Sequence, residues 1–161
     1  MSNQNSSLQH YGIKGQHWGV RRFQNEDGTL TAEGKNRYRR HLDSADILDK
    51  EDQIKKPQEL KYHVENKQEI LEKFKQNPNS SDAEFEQWYN TRKKYLEDTI
   101  KNTPRDMAFN QKMRQFLDTN ASITVDSLRK QIQKTAKETG LDADWVAKYY
   151  DENLDEILGI K

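Results

Sequence analysis

The stretch PQELKYHVENKQEILEKFKQNPNSSDAEFEQWYNTRKKYLEDTIKN, residues 57–102, decides the fold. Its apolar residues recur at three- and four-residue steps: Leu60, Val64, Leu71 and Phe74 first, then Phe85, Trp88, Tyr89, Tyr95, Leu96 and Ile100. That period gathers them on one face of an α-helix, where a half-buried strand would show strict alternation. The two halves are separated by Asn77-Pro78-Asn79-Ser80-Ser81, five polar residues with turn chemistry. Two helices joined so briefly predict an antiparallel hairpin over 57–102, with Pro57 tolerated in the first turn and Asn102 near the end.

Working outward, Pro104 opens a shorter predicted helix carrying Met107, Phe109, Met113, Phe116 and Leu117 and ending near Asn120. Thr124 then stands as an N-cap before the stripe Val125, Leu128, Ile132, Thr135 and Thr139, which stops at Gly140. A last helix presents Val146, Tyr149, Tyr150, Leu154, Ile157 and Leu158. On the N-terminal side, Thr31 caps a short helix that starts at Ala32-Glu33 and ends basic at Arg37, Arg39 and Arg40, as the helix dipole favours. The fold class is therefore all-α: an elongated hairpin or bundle of about five to six helices behind a Gly-rich, irregular N-terminal arm. Residues 1–9 read as a flexible leader, 10–44 as a distinct segment with a short helix, and 45–161 as the helical body, made of the 57–102 hairpin and the helices of 104–161. The aromatic pairs Trp88/Tyr95 and Tyr149/Tyr150 are expected in the core, and any apolar area left exposed is expected to serve self-association.

Composition limits the function classes. Of 161 residues, 34% are charged and 32% apolar, with a mean hydropathy of −1.25, so there is little material for a thick interior. Lys+Arg and Asp+Glu both number 27, which argues against coating nucleic acid by bulk charge. With no cysteine, thiolate metal sites, disulfides and cysteine nucleophiles are excluded. No signal-peptide pattern opens the sequence and no window is apolar enough to span a membrane, so the expected location is the cytoplasm of the producing cell or a particle made there.

No catalytic constellation stands out. His10, His17, His41 and His63 lie in polar surroundings, and no serine sits in a G-x-S-x-G elbow. Residues 28–35 miss the phosphate-loop template, because five residues separate Gly28 from Gly34 and Asn36 stands where a magnesium-binding hydroxyl is required. A turn followed by a capped helix explains them. Asp43/Asp46 and Glu69/Glu72 have the spacing of a solvated helix face. Ala136, Gly140, Leu141, Val146 and Tyr149 match a helix-turn-helix frame, but the would-be recognition helix opens Asp142-Ala143-Asp144. Residues 124–161 also hold six basic against eight acidic side chains. Nucleic acid is thus an unfavoured partner. The chain reads as a protein without enzymatic activity, cofactor or metal.

The informative stretch for function is HYGIKGQHWGVRRFQNEDGTLTAEGKNRY, residues 10–38. Five of the seven glycines (Gly12, Gly15, Gly19, Gly28 and Gly34) fall in this part of the chain. Glycines allow close backbone approach to a partner, Trp18 offers an aromatic anchor, and Arg21-Arg22 can fork onto carboxylates or phosphates. His10, Tyr11, Gly12, Lys14, Gly15, Trp18, Gly19, Arg21 and Arg22 are the candidate protein-binding residues. The competing reading has Tyr11, Trp18 and Phe23 folding back onto the helical body.

The same stretch resembles a segment, roughly H-Y-G-V-K-G-M-K-W-G-V-R-R-Y-Q-N-x-D-G-x-L-T-x-x-G-x-x-R-Y, near the ends of phage and prophage proteins of Gram-positive bacteria, many of them minor head, head-assembly or virion structural proteins. It departs from that pattern at Gln16, His17 and Phe23, leaving the Gly/Trp/Arg frame intact. The resemblance implies a virion-associated or head-assembly protein whose partner is capsid, portal or another particle component, and it assigns no reaction. Two other classes remain open: an inhibitor of a host defence or regulatory protein, and a helix-turn-helix DNA-binding regulator.

Overall fold

A computed structural model describes residues 22–160 of the chain, which are all-α. The helices are α1 (Ala32–Glu65), α2 (Lys67–Phe74), α3 (Asp82–Thr119), α4 (Val125–Thr139), α5 (Ala143–Val146) and α6 (Leu154–Leu158), with a π-helical turn at Ala147–Asp151. Among the described residues extended pairing is confined to two isolated bridges, Gln24 with Leu30 and Thr29 with Thr124. None of the described helices is long and apolar enough to cross a membrane. The described residues form two compact units, 22–44 with 109–160, and Ala45–Ala108.

The first unit holds a continuous core. Leu30, Tyr38 and Leu42 pack with Phe109, Met113, Leu117, Ile123, Leu128, Ile132, Val146, Tyr150, Leu154, Leu158 and Ile160, all buried. Its helix ends follow the sequence signals. The Thr31 hydroxyl accepts from the Gly34 amide at 3.1 Å. Thr124 and Ser127 exchange side-chain and backbone bonds in a capping box. Gly140, at φ 71°, lets the Leu141 amide close onto the Ala136 carbonyl at 3.0 Å.

The second unit is the expected hairpin. The Ser81 hydroxyl accepts from the Glu84 amide at 3.2 Å while Glu84 takes the Ser81 amide at 2.8 Å, which starts α3 after the turn. Contacts of His63 with Tyr89, Glu59 with Arg92 and Lys56 with Tyr95 run in opposite chain directions, so the pairing is antiparallel.

Three boundaries differ from the sequence expectation. The short helix from Ala32 does not end after Arg40, and Pro57 lies inside α1 instead of opening a helix. Pro104 likewise lies inside α3, which runs past Asn102 without a break. A proline removes one ladder N–H at about 3 kcal/mol. Unwinding at Pro104 would expose the buried Leu96, Thr99, Thr103 and Asp106 around it, so packing wins. The preceding turn is reinforced by side chains, as Thr99, Asn102 and Thr103 donate to the carbonyls four residues back at 2.8, 2.9 and 2.7 Å.

The last helix divides into α5, the π turn and α6. Its buried residues Val146, Tyr150, Leu154 and Leu158 repeat every four residues, wider than the 3.6 of an α-helix. The Glu152 amide reaching the Ala147 carbonyl at 3.0 Å widens one turn and keeps the repeat on the core. Of the aromatic residues expected inside, Tyr150 is buried, whereas Trp88, Tyr95 and Tyr149 are 43%, 43% and 37% exposed. Tyr95 and Tyr149 each offer a face that a cation covers, Arg92 and Lys56 over Tyr95 and Lys148 over Tyr149, whereas Trp88 lies against the rings of His63, Phe74 and Phe85 with its remaining surface exposed.

Candidate protein-docking site

Eight of the nine candidate binding residues (His10, Tyr11, Gly12, Lys14, Gly15, Trp18, Gly19 and Arg21) lie outside the described residues, as do His17 and most of the leading Gly-rich run. Arg22 is described, and it is exposed, with its guanidinium carbon 5.2 Å from the centroid of the Phe23 ring. Arg22 is followed directly by the part of the segment whose geometry is described, residues 23–38.

Phe23 folds back onto the helical body, while Tyr11 and Trp18, the other two residues of the competing reading, lie outside the described residues. The Phe23 ring is 8% exposed and is covered by Arg37, 4.5 Å from the centroid. Two glycines make the seat. A Cβ on Gly34 would stand 2.3 Å from the Phe23 carbonyl oxygen, and one on Gly159 would stand 2.6 Å from the ring. Neither position has room for a side chain.

Behind Phe23 the chain makes a tight turn. The Gly28 amide donates to the Asn25 carbonyl at 3.0 Å, the Asn25 amide to the Thr29 carbonyl at 2.7 Å, and the Thr31 amide to the Phe23 carbonyl at 3.1 Å. Asp27 accepts from the Thr29 hydroxyl at 2.6 Å and from the Thr29 amide at 3.0 Å. These bonds hold its carboxyl below the usual range. Gly28, at φ 84°, supplies the positive dihedral that the turn needs. The turn is tied to the body by the Leu30 amide donating to the Ile123 carbonyl at 2.6 Å and by the Lys35 ammonium donating to the Asn120 carbonyl at 3.2 Å. Residues 22–38 of the recognisable segment are thus a structural anchor, built from Phe23, Gly28, Leu30, Thr31, Gly34 and Tyr38.

Several arginines surround the one acidic residue in the first turn of α1. Glu33 is bonded by Arg40 at 2.7 Å, and that bond, with the charges of Arg40, Arg22 and Arg37, holds its carboxyl below its ordinary value. Arg37 itself reaches the Ile157 carbonyl at 3.4 Å.

A second surface, in the Ala45–Ala108 unit, was not singled out as a site from sequence. Trp88, Arg92 and Tyr95 occupy one stripe of α3, with Arg92 bonded to Glu59 at 2.9 Å and lying 5.2 Å from the Tyr95 ring centroid. Behind them His63 stacks on Tyr89 at 4.1 Å, its Nε2 3.0 Å from the Tyr89 carbonyl, while the Tyr89 hydroxyl donates to the His63 carbonyl at 3.0 Å. Phe74 and Phe85 complete the cluster at ring separations of 5.4 to 6.1 Å. The available signal was the placing of Arg92 and Lys94 between Trp88 and Tyr95, which suits a wetted rim better than a core.

Neither described histidine, His41 or His63, is hydrogen-bonded to a hydroxyl or a carboxylate. Among the described residues no group of three or more His, Asp or Glu side chains is placed to hold a metal ion. A family model described as "Family of unknown function (DUF7211)" matches residues 1–25, a span that contains all nine candidate binding residues and ends inside the anchor turn. No curated protein and no solved structure matches the chain.

Proposed function

We propose that this chain is a non-enzymatic, virion-associated or head-assembly protein of a phage, which attaches to capsid, portal or another particle component through residues 10–22. The observation that carries the proposal is the seat of Phe23 between Gly34 and Gly159, directly after the Gly/Trp/Arg run. A binding segment loses less entropy on docking when one end is already held, and a Trp/Arg-rich composition suits an interface better than a core. The likeness of residues 10–38 to segments of phage head proteins supplies the class of partner.

The test is mass spectrometry of purified particles from cells making wild type or a Trp18→Ala/Arg21→Ala/Arg22→Ala variant. Wild type in the particle and the variant missing from it is the expected result. Absence of both from particles and from assembly intermediates removes the proposal.

A second reading, an inhibitor that binds a host protein, draws support from the exposed Trp88–Arg92–Tyr95 stripe, whose residue types dominate binding hot spots. It predicts a host partner whose capture is lost with Trp88→Ala/Tyr95→Ala and kept with the Trp18 variant. The DNA-regulator reading gains nothing comparable, since α5 has four residues and is preceded by Asp142.

A further inference from the structure

The C-terminal segment that closes over Phe23 contains an electrostatic weakness. The Tyr38 hydroxyl and Asp151 Oδ1 are both buried and neither has a hydrogen-bond partner. The two groups sense each other: burial first, and then the charge of Asp151, push the phenol well above its ordinary value. Burial also raises the Asp151 carboxyl, against the opposing pull of Arg129 and of Gln133.

The surrounding groups leave Oδ1 uncompensated. From α4, Gln133 donates to the other carboxylate oxygen, Oδ2, and Arg129 is directed to Asp155 Oδ1 at 3.1 Å and to the Asp151 backbone carbonyl at 3.2 Å. From α1 come Tyr38 and, with its ring 6.3 Å from that of Tyr38, His41, whose own titration burial shifts downward. Tyr150 stands beside Asp151, 6.4 Å from His41, 4.3 Å from Phe109 of α3, and 3.4 Å by its hydroxyl from Asn110 Oδ1. Asp151 is also the last residue of the π turn, a geometry associated with functional positions. A few residues on, Gly159 lies against the Phe23 ring and the Ile157 carbonyl receives Arg37.

The geometry points to Ala147–Ile160 as a proton-controlled latch on the Phe23 anchor: with Asp151 neutral the segment stays closed over Phe23, and ionisation of Asp151 favours local opening that brings water to Oδ1 and loosens the seat. A carboxyl raised in the folded state contributes stability below its ordinary value and loses it as pH rises through the raised one. Opening therefore increases from acid toward neutral pH. This goes beyond docking to a particle, because the latch acts on the anchor whether or not a partner is bound.

The test is native-state hydrogen exchange on the full chain, wild type and Asp151→Asn, from about pH 4 to about pH 8, corrected for intrinsic exchange and referenced to the amides of α4. In wild type the opening of the Gly159, Ile160, Leu30 and Thr31 amides is expected to rise with pH relative to α4. In the Asn variant it is expected to stay level, with protection several-fold greater at neutral pH. Tyr38→Phe, which removes the unpartnered hydroxyl, should keep the wild-type pH trend. An Asn variant that follows the wild-type trend overturns the latch, as does a wild type without a trend, or an Asn variant that fails to fold. The readout needs no partner, so it is separable from the particle experiment.

Discussion

Gly159 meets two constraints at once. It ends α6 at φ 67°, with the Ile160 amide closing on the Asp155 carbonyl at 3.0 Å, and its missing side chain leaves the space filled by Phe23 and by Arg37 Nε, which a Cβ would approach to 2.9 Å. Gly34 meets only the second kind, with the Phe23 carbonyl in the way, and Gly28 only the first, because a Cβ there would find nothing nearer than Gln24 Nε2 at 3.9 Å. Alanine substitution should therefore cost about 1 kcal/mol at Gly28, and more, about 2 to 4 kcal/mol, at Gly34 and Gly159, measured by chemical denaturation. Equal losses at all three would mean that the seat is not as tight as the contacts require. The concentration of glycine is visible in the sequence, and the positive dihedral at Gly28 follows from Asp27-Gly28 turn chemistry. The role of Gly159 is not visible there, because its contact partner is more than a hundred residues away.

The helices were legible as helices because their apolar residues keep a period near 3.6, and the caps expected at Thr31 and Thr124 hold as local chemistry requires. Their ends differ from the expectation at Pro57 and Pro104: at Pro104 a local rule lost to the burial of Thr99, Thr103 and Asp106 around it, whereas the residues flanking Pro57 are exposed or half-buried and no packing explains the continuation of α1 through it. Both prolines are exposed, so each contributes a missing hydrogen bond with little packing in return. Pro104→Ala and Pro57→Ala should each raise stability by about 1 to 3 kcal/mol, read as a shift in the denaturation midpoint at unchanged slope. A loss of stability on either substitution would show that the ring makes contacts the helix depends on. Trp88, Tyr95 and Tyr149 are exposed where the core was expected, because helical period tells which residues share a face but not where the core ends, nor whether a cation will cover a ring at its rim, as at Tyr95 and Tyr149.

Across the molecule the apolar material is divided unequally. The unit of residues 22–44 and 109–160 collects seventeen buried residues into one cluster. In Ala45–Ala108 the buried apolar side chains are Phe85, Tyr89 and Leu96, and the rest of the buried set is polar: Asp49, His63, Thr99, Asn102, Thr103 and Asp106. The same unit leaves Ile47, Leu48 and Ile54 of α1 more than 60% exposed. Buried apolar area contributes about 25 cal/mol per Å², whereas polar groups return little beyond the desolvation they offset, so the second unit is the less stable of the two. Because α1 and α3 supply residues to both units, protection against hydrogen exchange should fall within a single unbroken helix, near Ser44 in α1 and near Ala108 in α3. Mapping exchange amide by amide should find the slowest protons in the Tyr38–Leu42 and Phe109–Leu117 turns, with opening at least tenfold more frequent around Ile54 and Arg92, a factor that corresponds to about 1.4 kcal/mol. Uniform protection along both helices would mean that the chain opens as one cooperative body, and that the polar seam of the hairpin stabilises as much as the apolar core beside the Phe23 seat.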